Sequence, residues 1–134
     1  MLHPISVLVV ALGFSAVASS AVLNAKAEEQ HRRFAKAAVL AGGDPAHGGK
    51  LYNRYGCEAC HSMTGQGLPR GRVGPDLTGF AERAYIAGRL RNEPDLLVQW
   101  IEAPQLVDPS TAMPNLAVTP QDARDLAAWL YAAT

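Results

Sequence analysis

Three patterns of apolar and polar residues follow one another along the chain. From Ile5 to Leu23 the sequence reads ISVLVVALGFSAVASSAVL, broken only by Gly13 and small serines. At about 1.5 Å of rise per helical residue this run approaches the thickness of a bilayer core, and it predicts an N-terminal transmembrane helix. From Asn24 to Ala41 almost every residue favours helix, and Glu28/Arg32 and Glu29/Arg33 form i, i+4 pairs in the favourable acid-first order. Gly42-Gly43 should stop that helix, because glycine weakens helix and readily takes the left-handed conformation of a stop. Beyond it come short segments punctuated by Gly and Pro. After Pro120 the apolar residues Ala123, Leu126, Ala127 and Leu130 fall on one helical face, with Thr119 and Asp122 spaced as an N-terminal capping pair. No convincing period-two run occurs, so the pattern predicts an all-α fold.

Composition narrows the function classes. At 134 residues and 14.2 kDa the chain holds one ordinary domain, or a smaller domain with an appendage, and a multidomain enzyme is excluded. With 49% hydrophobic and 18% charged residues it can build a core, which a disordered polyampholyte cannot. A formal net charge of +0 gives no global attraction to nucleic acid. The zero conceals segments: residues 1–23 carry no charged side chain, residues 24–43 hold four basic and two acidic ones, and residues 44–134 hold eight basic and ten acidic ones. Residues 1–23 therefore read as a signal anchor, 24–43 as a helical tether and 44–134 as the functional domain. Ala16-Val17-Ala18 and Ala25-Lys26-Ala27 are small-x-small sites at which a signal peptide would be cut, but the apolar run is long for a signal peptide and favours an uncleaved anchor. Lys26, Arg32, Arg33 and Lys36 follow the apolar run, an orientation signal for a cytoplasmic C-terminal domain. The chemistry below requires the opposite side and takes precedence.

That chemistry starts at Cys57-Glu58-Ala59-Cys60-His61, which holds both cysteines of the chain and has the Cys-x-x-Cys-His form of covalent haem c attachment. Two thiols on one turn can each add to a vinyl group of the same porphyrin, and the next imidazole then lies under the ring as a ligand to iron. A structural zinc site fails because there is no second cysteine pair to complete four ligands, and a thioredoxin-like dithiol lacks its βαβ surroundings. A plain Cys57–Cys60 disulfide is the remaining alternative. For the opposite side of the iron the candidates are Met63, Met113, His47 and His31. Met63 follows His61 too closely to cross the ring. Met113 is far enough along to wrap it, and sits in Asp108-Pro109-Ser110-Thr111-Ala112-Met113-Pro114, a polar loop stiffened by two prolines. His47 stays as the minor alternative. Nowhere is there a Ser/His/Asp set, a phosphate-binding glycine loop or a basic-aromatic patch, so neither a small-molecule substrate nor nucleic acid is expected.

Over residues 43–134 the sequence resembles the class I c-type cytochromes, single-haem electron carriers. Gly43 to Tyr52 looks like the family's N-terminal helix, with Asp44 as N-cap and Pro45 at the first helical position. Gly74-Pro75-Asp76-Leu77 matches its Gly-Pro-x-Leu signature, which implies that the Pro75 carbonyl accepts the Nδ1–H of His61. Leu96 to Pro104 resembles the helix before the methionine loop, and Asp122 to Leu130 the C-terminal helix that crosses the first at its glycines. The implied fold is a small cytochrome c fold, short helices and loops wrapped round one covalent haem, with Tyr52, Phe80, Trp100 and Trp129 as the large side chains around it. A residue just before the Leu96 helix often bonds a haem propionate in this family, and Arg89 and Asn92 are the choices here. The lysine ring that docks an oxidase in mitochondrial members is missing, but residues 44–92 hold seven basic and four acidic groups and residues 93–134 one basic and six acidic, a polarity able to orient the domain toward a partner. The resemblance implies one-electron transport, with His61 and Met113 on iron, between a quinol-oxidising complex and a terminal oxidase, or service as a fixed haem subunit of a larger oxidoreductase such as a haem-copper oxidase. It also implies a bacterial inner-membrane location with the haem domain on the periplasmic side.

Overall fold

In the computed structural model, residues 4–63, 71 and 73–133 are described, with side chains from Ser19 onward. Most of the apolar run 5–23 therefore has its side chains outside the described residues. The chain divides into two compact units, Met1–Arg32 and Arg33–Thr134, a division that falls inside the segment read as a tether. Helix α1 runs Pro4–Ala41. In the first unit Arg32 serves both glutamates, at 3.1 Å from Glu29 and 4.0 Å from Glu28. Among the described residues no helix is long and apolar enough to cross a membrane.

The second unit begins with the last turns of α1, where Ala37 and Ala41 are buried. Gly42 closes the helix with φ +65° and its N–H on the Ala38 carbonyl, the stop that two consecutive glycines predict. Helix α2, Pro45–Arg54, opens on Asp44, whose carboxylate accepts the Ala46 N–H at 2.8 Å. Helix α5, Pro120–Ala132, is capped by Thr119, which accepts the Asp122 N–H at 3.2 Å. These two helices cross and form the main packing of the unit, and α3, Pro94–Glu102, also packs on α5. A short α4, Pro104–Val107, follows α3.

The crossing is close because Gly48 is there: a Cβ at that position would lie 2.0 Å from the Asp125 carbonyl oxygen and 2.7 Å from Trp129 Cβ. Around it Leu51, Tyr52, Leu97, Leu126, Trp129 and Leu130 are buried, with the Tyr52 and Trp129 rings 4.7 Å apart. One charged side chain, Asp125, sits in this layer and is 3% exposed. Its Oδ1 accepts the Asp44 N–H at 2.8 Å and Gln121 Nε2 at 2.9 Å, and its Oδ2 lies 2.7 Å from His47 Nδ1, so both oxygens are satisfied. The same carboxylate thus pins the start of α2 onto α5.

The all-α expectation needs one amendment. Between a 3₁₀ turn at Phe80–Glu82 and α3, Tyr85–Ile86 (β1) pairs antiparallel with Leu90–Arg91 (β2). Ala87 and Gly88, with φ of +50° and +70°, close the hairpin. Strands of two residues are too short to generate any alternation of apolar and polar positions, so no sequence periodicity marks them.

Candidate functional site

The cysteine motif is positioned from behind by α2. That helix ends at Arg54, Gly56 turns the chain with φ +70°, and Cys57–Ala59 forms a 3₁₀ turn. The His61 and Cys60 N–H groups both return to the Cys57 carbonyl, at 2.9 and 3.2 Å, so the two thiols and the imidazole leave one tight coil. Cys57 and Cys60 are free and half-buried, and the disulfide alternative is not what the chain adopts. Burial pushes the Cys57 thiol up to about 11, with the Glu58 charge adding to it, so Cys57 is a thiol and not a thiolate at neutral pH.

The Gly-Pro-x-Leu segment lies alongside that coil. Gly74 N–H donates to the Cys60 carbonyl at 2.9 Å, and Leu77 N–H to the Ser62 carbonyl at 2.8 Å. Ser62 Oγ donates to Asp76 Oδ2 at 2.5 Å; this bond, with the Thr78 hydroxyl and N–H, holds the Asp76 carboxyl down at about 2. Between these ties His61 Nδ1 lies 2.8 Å from the Pro75 carbonyl, the pairing the resemblance implies. A carbonyl only accepts, so Nδ1 carries the hydrogen and the Nε2 lone pair of the neutral ring is left for a metal. Gly74 has to be glycine here, because a Cβ would lie 2.4 Å from His61 Cε1. Tyr52 donates its hydroxyl to the His61 carbonyl at 3.1 Å, and burial raises that hydroxyl far above its ordinary range, keeping it a donor.

Met113 is half-buried and packs against the core, as a side chain facing the interior and not as one in a wholly polar loop. Gln105 Nε2 on α4 donates to its carbonyl at 2.6 Å, and its N–H donates to Thr111 Oγ1 at 3.2 Å. Met63 is buried in the core, and His31 lies exposed in the first unit. His47, the minor candidate for iron, is committed to Asp125 at the α2–α5 crossing.

The residues chosen for a propionate have other partners. Asn92 Nδ2 donates to the Phe80 and Arg83 carbonyls at 2.8 and 2.9 Å, and its Oδ1 accepts the Tyr131 hydroxyl at 2.8 Å, so the amide is spent on binding the hairpin segment to α5. Arg89 Nε lies 2.8 Å from Asp108 Oδ2. Trp100 is buried in the core. Sequence reasoning missed Asp125 and named Asp76 and Asp108 only as members of their motifs, with no role of their own. Asp125 left one readable trace, an acid directly beside the apolar face of α5; the others gain their meaning only from partners that the fold supplies.

Two free thiols on one turn and an imidazole with its Nδ1 already occupied form a donor set that fits haem c. Comparison with known proteins agrees. Cytochrome c oxidase subunit 2 of Alkalihalophilus pseudofirmus is 36% identical over 67 residues, which is 50% of this chain and 19% of that protein, so the chain spans about a fifth of that relative's length. No solved structure matches. Residues 45–133, from the first residue of α2 past the end of α5, match the cytochrome c family, whose members transfer electrons and whose cofactor is haem c. The chain belongs to the cytochrome c family.

Proposed function

We propose that this protein is a membrane-tethered, single-haem c-type cytochrome that carries one electron at a time from a quinol-oxidising complex to a terminal oxidase. The observation that carries this reading is the 2.8 Å contact of His61 Nδ1 with the Pro75 carbonyl, beside two free thiols on the same coil. Cys57 and Cys60 would hold the haem covalently, and His61 and Met113 its iron. When bound, the haem supplies a one-electron iron couple, which methionine–histidine ligation sets at a raised potential. The chain's own part is to orient the imidazole through Pro75, to keep Met113 against the core on a short tethered loop, and to exclude water with Tyr52, Trp100 and Trp129. With His61 and Met113 both holding the iron, the chemistry the group would supply is outer-sphere electron transfer. The apolar run 5–23 and the helix that continues from it support a tether, with the haem domain on the periplasmic side of a bacterial inner membrane.

The full chain purified in detergent tests this. Intact mass should show one added haem and the N-terminal segment retained, and the ferric protein should show the red charge-transfer band of methionine-ligated iron. Met113→Ala should abolish that band, lower the midpoint potential and open the ferrous protein to carbon monoxide. Rapid carbon monoxide binding by the unaltered protein would overturn the assignment. The similarity to a cytochrome c oxidase subunit 2 favours a second reading, a fixed haem subunit of an oxidase. Co-purification with such a complex at constant stoichiometry would select it, and extraction as a free monomer would exclude it.

A further inference from the structure

Asp108 is the hub of the loop that carries Met113. Its N–H donates to the Pro104 carbonyl at 2.9 Å, its own carbonyl accepts the Thr111 N–H at 3.0 Å, and its Oδ1 accepts both the Ser110 N–H at 3.0 Å and the Ser110 hydroxyl at 2.6 Å. Thr111 then accepts the Met113 N–H, and Gln105 donates to the Met113 carbonyl. Among the described residues, these bonds and that of the Ala117 N–H to Asn115 Oδ1 join residues no more than eight positions apart. They shape the loop and tie it only to the adjoining α4. The Arg89–Asp108 ion pair, at 2.8 Å, comes from a separate element.

That element is itself anchored. The Arg89 N–H is bound to the Ile86 carbonyl at 3.0 Å in the hairpin turn, and Asn92, just after β2, is bonded through Tyr131 to α5. A continuous polar path thus runs from α5 through the hairpin to Asp108. The Ser110 hydroxyl and N–H, with Arg89 assisting, hold the Asp108 carboxyl below the usual carboxylate range, so the pair is charged at neutral pH. Asp108 is 16% exposed and Arg89 55%, which makes the pair partly shielded from water.

We propose that Arg89 and Asp108 form a strap that holds the Met113 loop against the domain, which makes Arg89 a positioning residue for the iron–methionine bond. This rests on Met113 being an axial ligand. The strap lowers the free energy of the closed loop, and any ligand that must displace Met113 from iron works against it. For a partly exposed pair the effect should be about two- to fivefold in the affinity of such a ligand.

The test is imidazole titration of the full-length ferric holoprotein, read by loss of the methionine charge-transfer band, for Arg89→Gln, Asp108→Asn and the double variant. Asp108→Asn keeps an Oδ1 acceptor for Ser110, so the local turn survives. Each single change should tighten imidazole binding about two- to fivefold, and the double variant should tighten it no further than either single change. Arg89→Lys should recover part of the loss. Unchanged imidazole affinity in Arg89→Gln, or fully additive effects, would overturn the strap. A shifted midpoint potential with unchanged imidazole affinity would give Arg89 to a propionate and overturn it equally. Absence of the band in the unaltered protein would remove Met113 as a ligand, and the strap with it; a band that is present alongside additive effects removes the strap alone.

Discussion

An imidazole has two nitrogens, and at His61 a single carbonyl decides which is left for the iron proposed there. The Pro75 contact is possible because residue 74 has no side chain: a Cβ there would sit 2.4 Å from His61 Cε1 and 2.6 Å from Nδ1. Gly74→Ala should therefore push the ring off the Pro75 carbonyl and weaken its donation to iron. The midpoint potential is then expected to rise, as measured by redox titration, and ligand exchange at iron to ease about 10- to 100-fold. An unchanged potential would mean that the contact orients the ring without tuning it. At this scale the sequence was most informative where partners are near neighbours: Cys57, Cys60 and His61 fall on one turn in any fold that makes that turn. Arg89 and Asn92 were expected at a haem propionate, but in the fold Arg89 pairs with Asp108 and Asn92 with Phe80, Arg83 and Tyr131, partners set by tertiary placement, which spacing does not encode.

The crossing of α2 and α5 joins two ends of the unit, and both of its determinants are single residues. Gly48→Ala would place a methyl 2.0 Å from the Asp125 carbonyl, so the helices must part; a loss of about 1–3 kcal/mol is expected, seen as a lower Tm in calorimetry. Asp125→Ala would leave the Asp44 N–H without its acceptor and should cost about 1–3 kcal/mol on the same measurement. Burial alone would raise the Asp125 carboxyl, but the bonds from the Asp44 N–H, His47 and Gln121 outweigh it and hold it below its ordinary value. A carboxyl lowered by folding stabilises the native state above its unfolded pKa of about 3.9, and that contribution is lost as the pH falls through the lower, folded value. Removing it in Asp125→Asn should flatten the fall in Tm between neutral pH and about pH 3. The helices themselves were legible, since caps at Asp44 and Thr119 and the spacing of Ala123, Leu126, Ala127 and Leu130 are local signals. The hairpin was not, because two-residue strands carry no period, and neither was Asp125, because an acid beside an apolar face reads as solvent-facing until its donors are known.

For the molecule as a whole, sequence and structure draw their boundary in different places. Charge and glycine content put the start of the haem domain at residue 44, while the packing puts the start of the second unit at Arg33. The cause is two small residues: Ala37 and Ala41 read as generic helix formers, yet they are 2% and 3% exposed in the folded unit. A fragment of residues 33–134 should accordingly be more stable than one of 44–134 by about 1–2 kcal/mol, as equilibrium urea unfolding of the two holoproteins would show. A leader peptidase cutting at Ala18 would remove most of the apolar run, and one cutting at Ala27 all of it, but either would spare both alanines, so forms with and without the proposed anchor would share one folded domain. For the carrier proposed above, losing the anchor would change where the electron is delivered, not whether the domain survives.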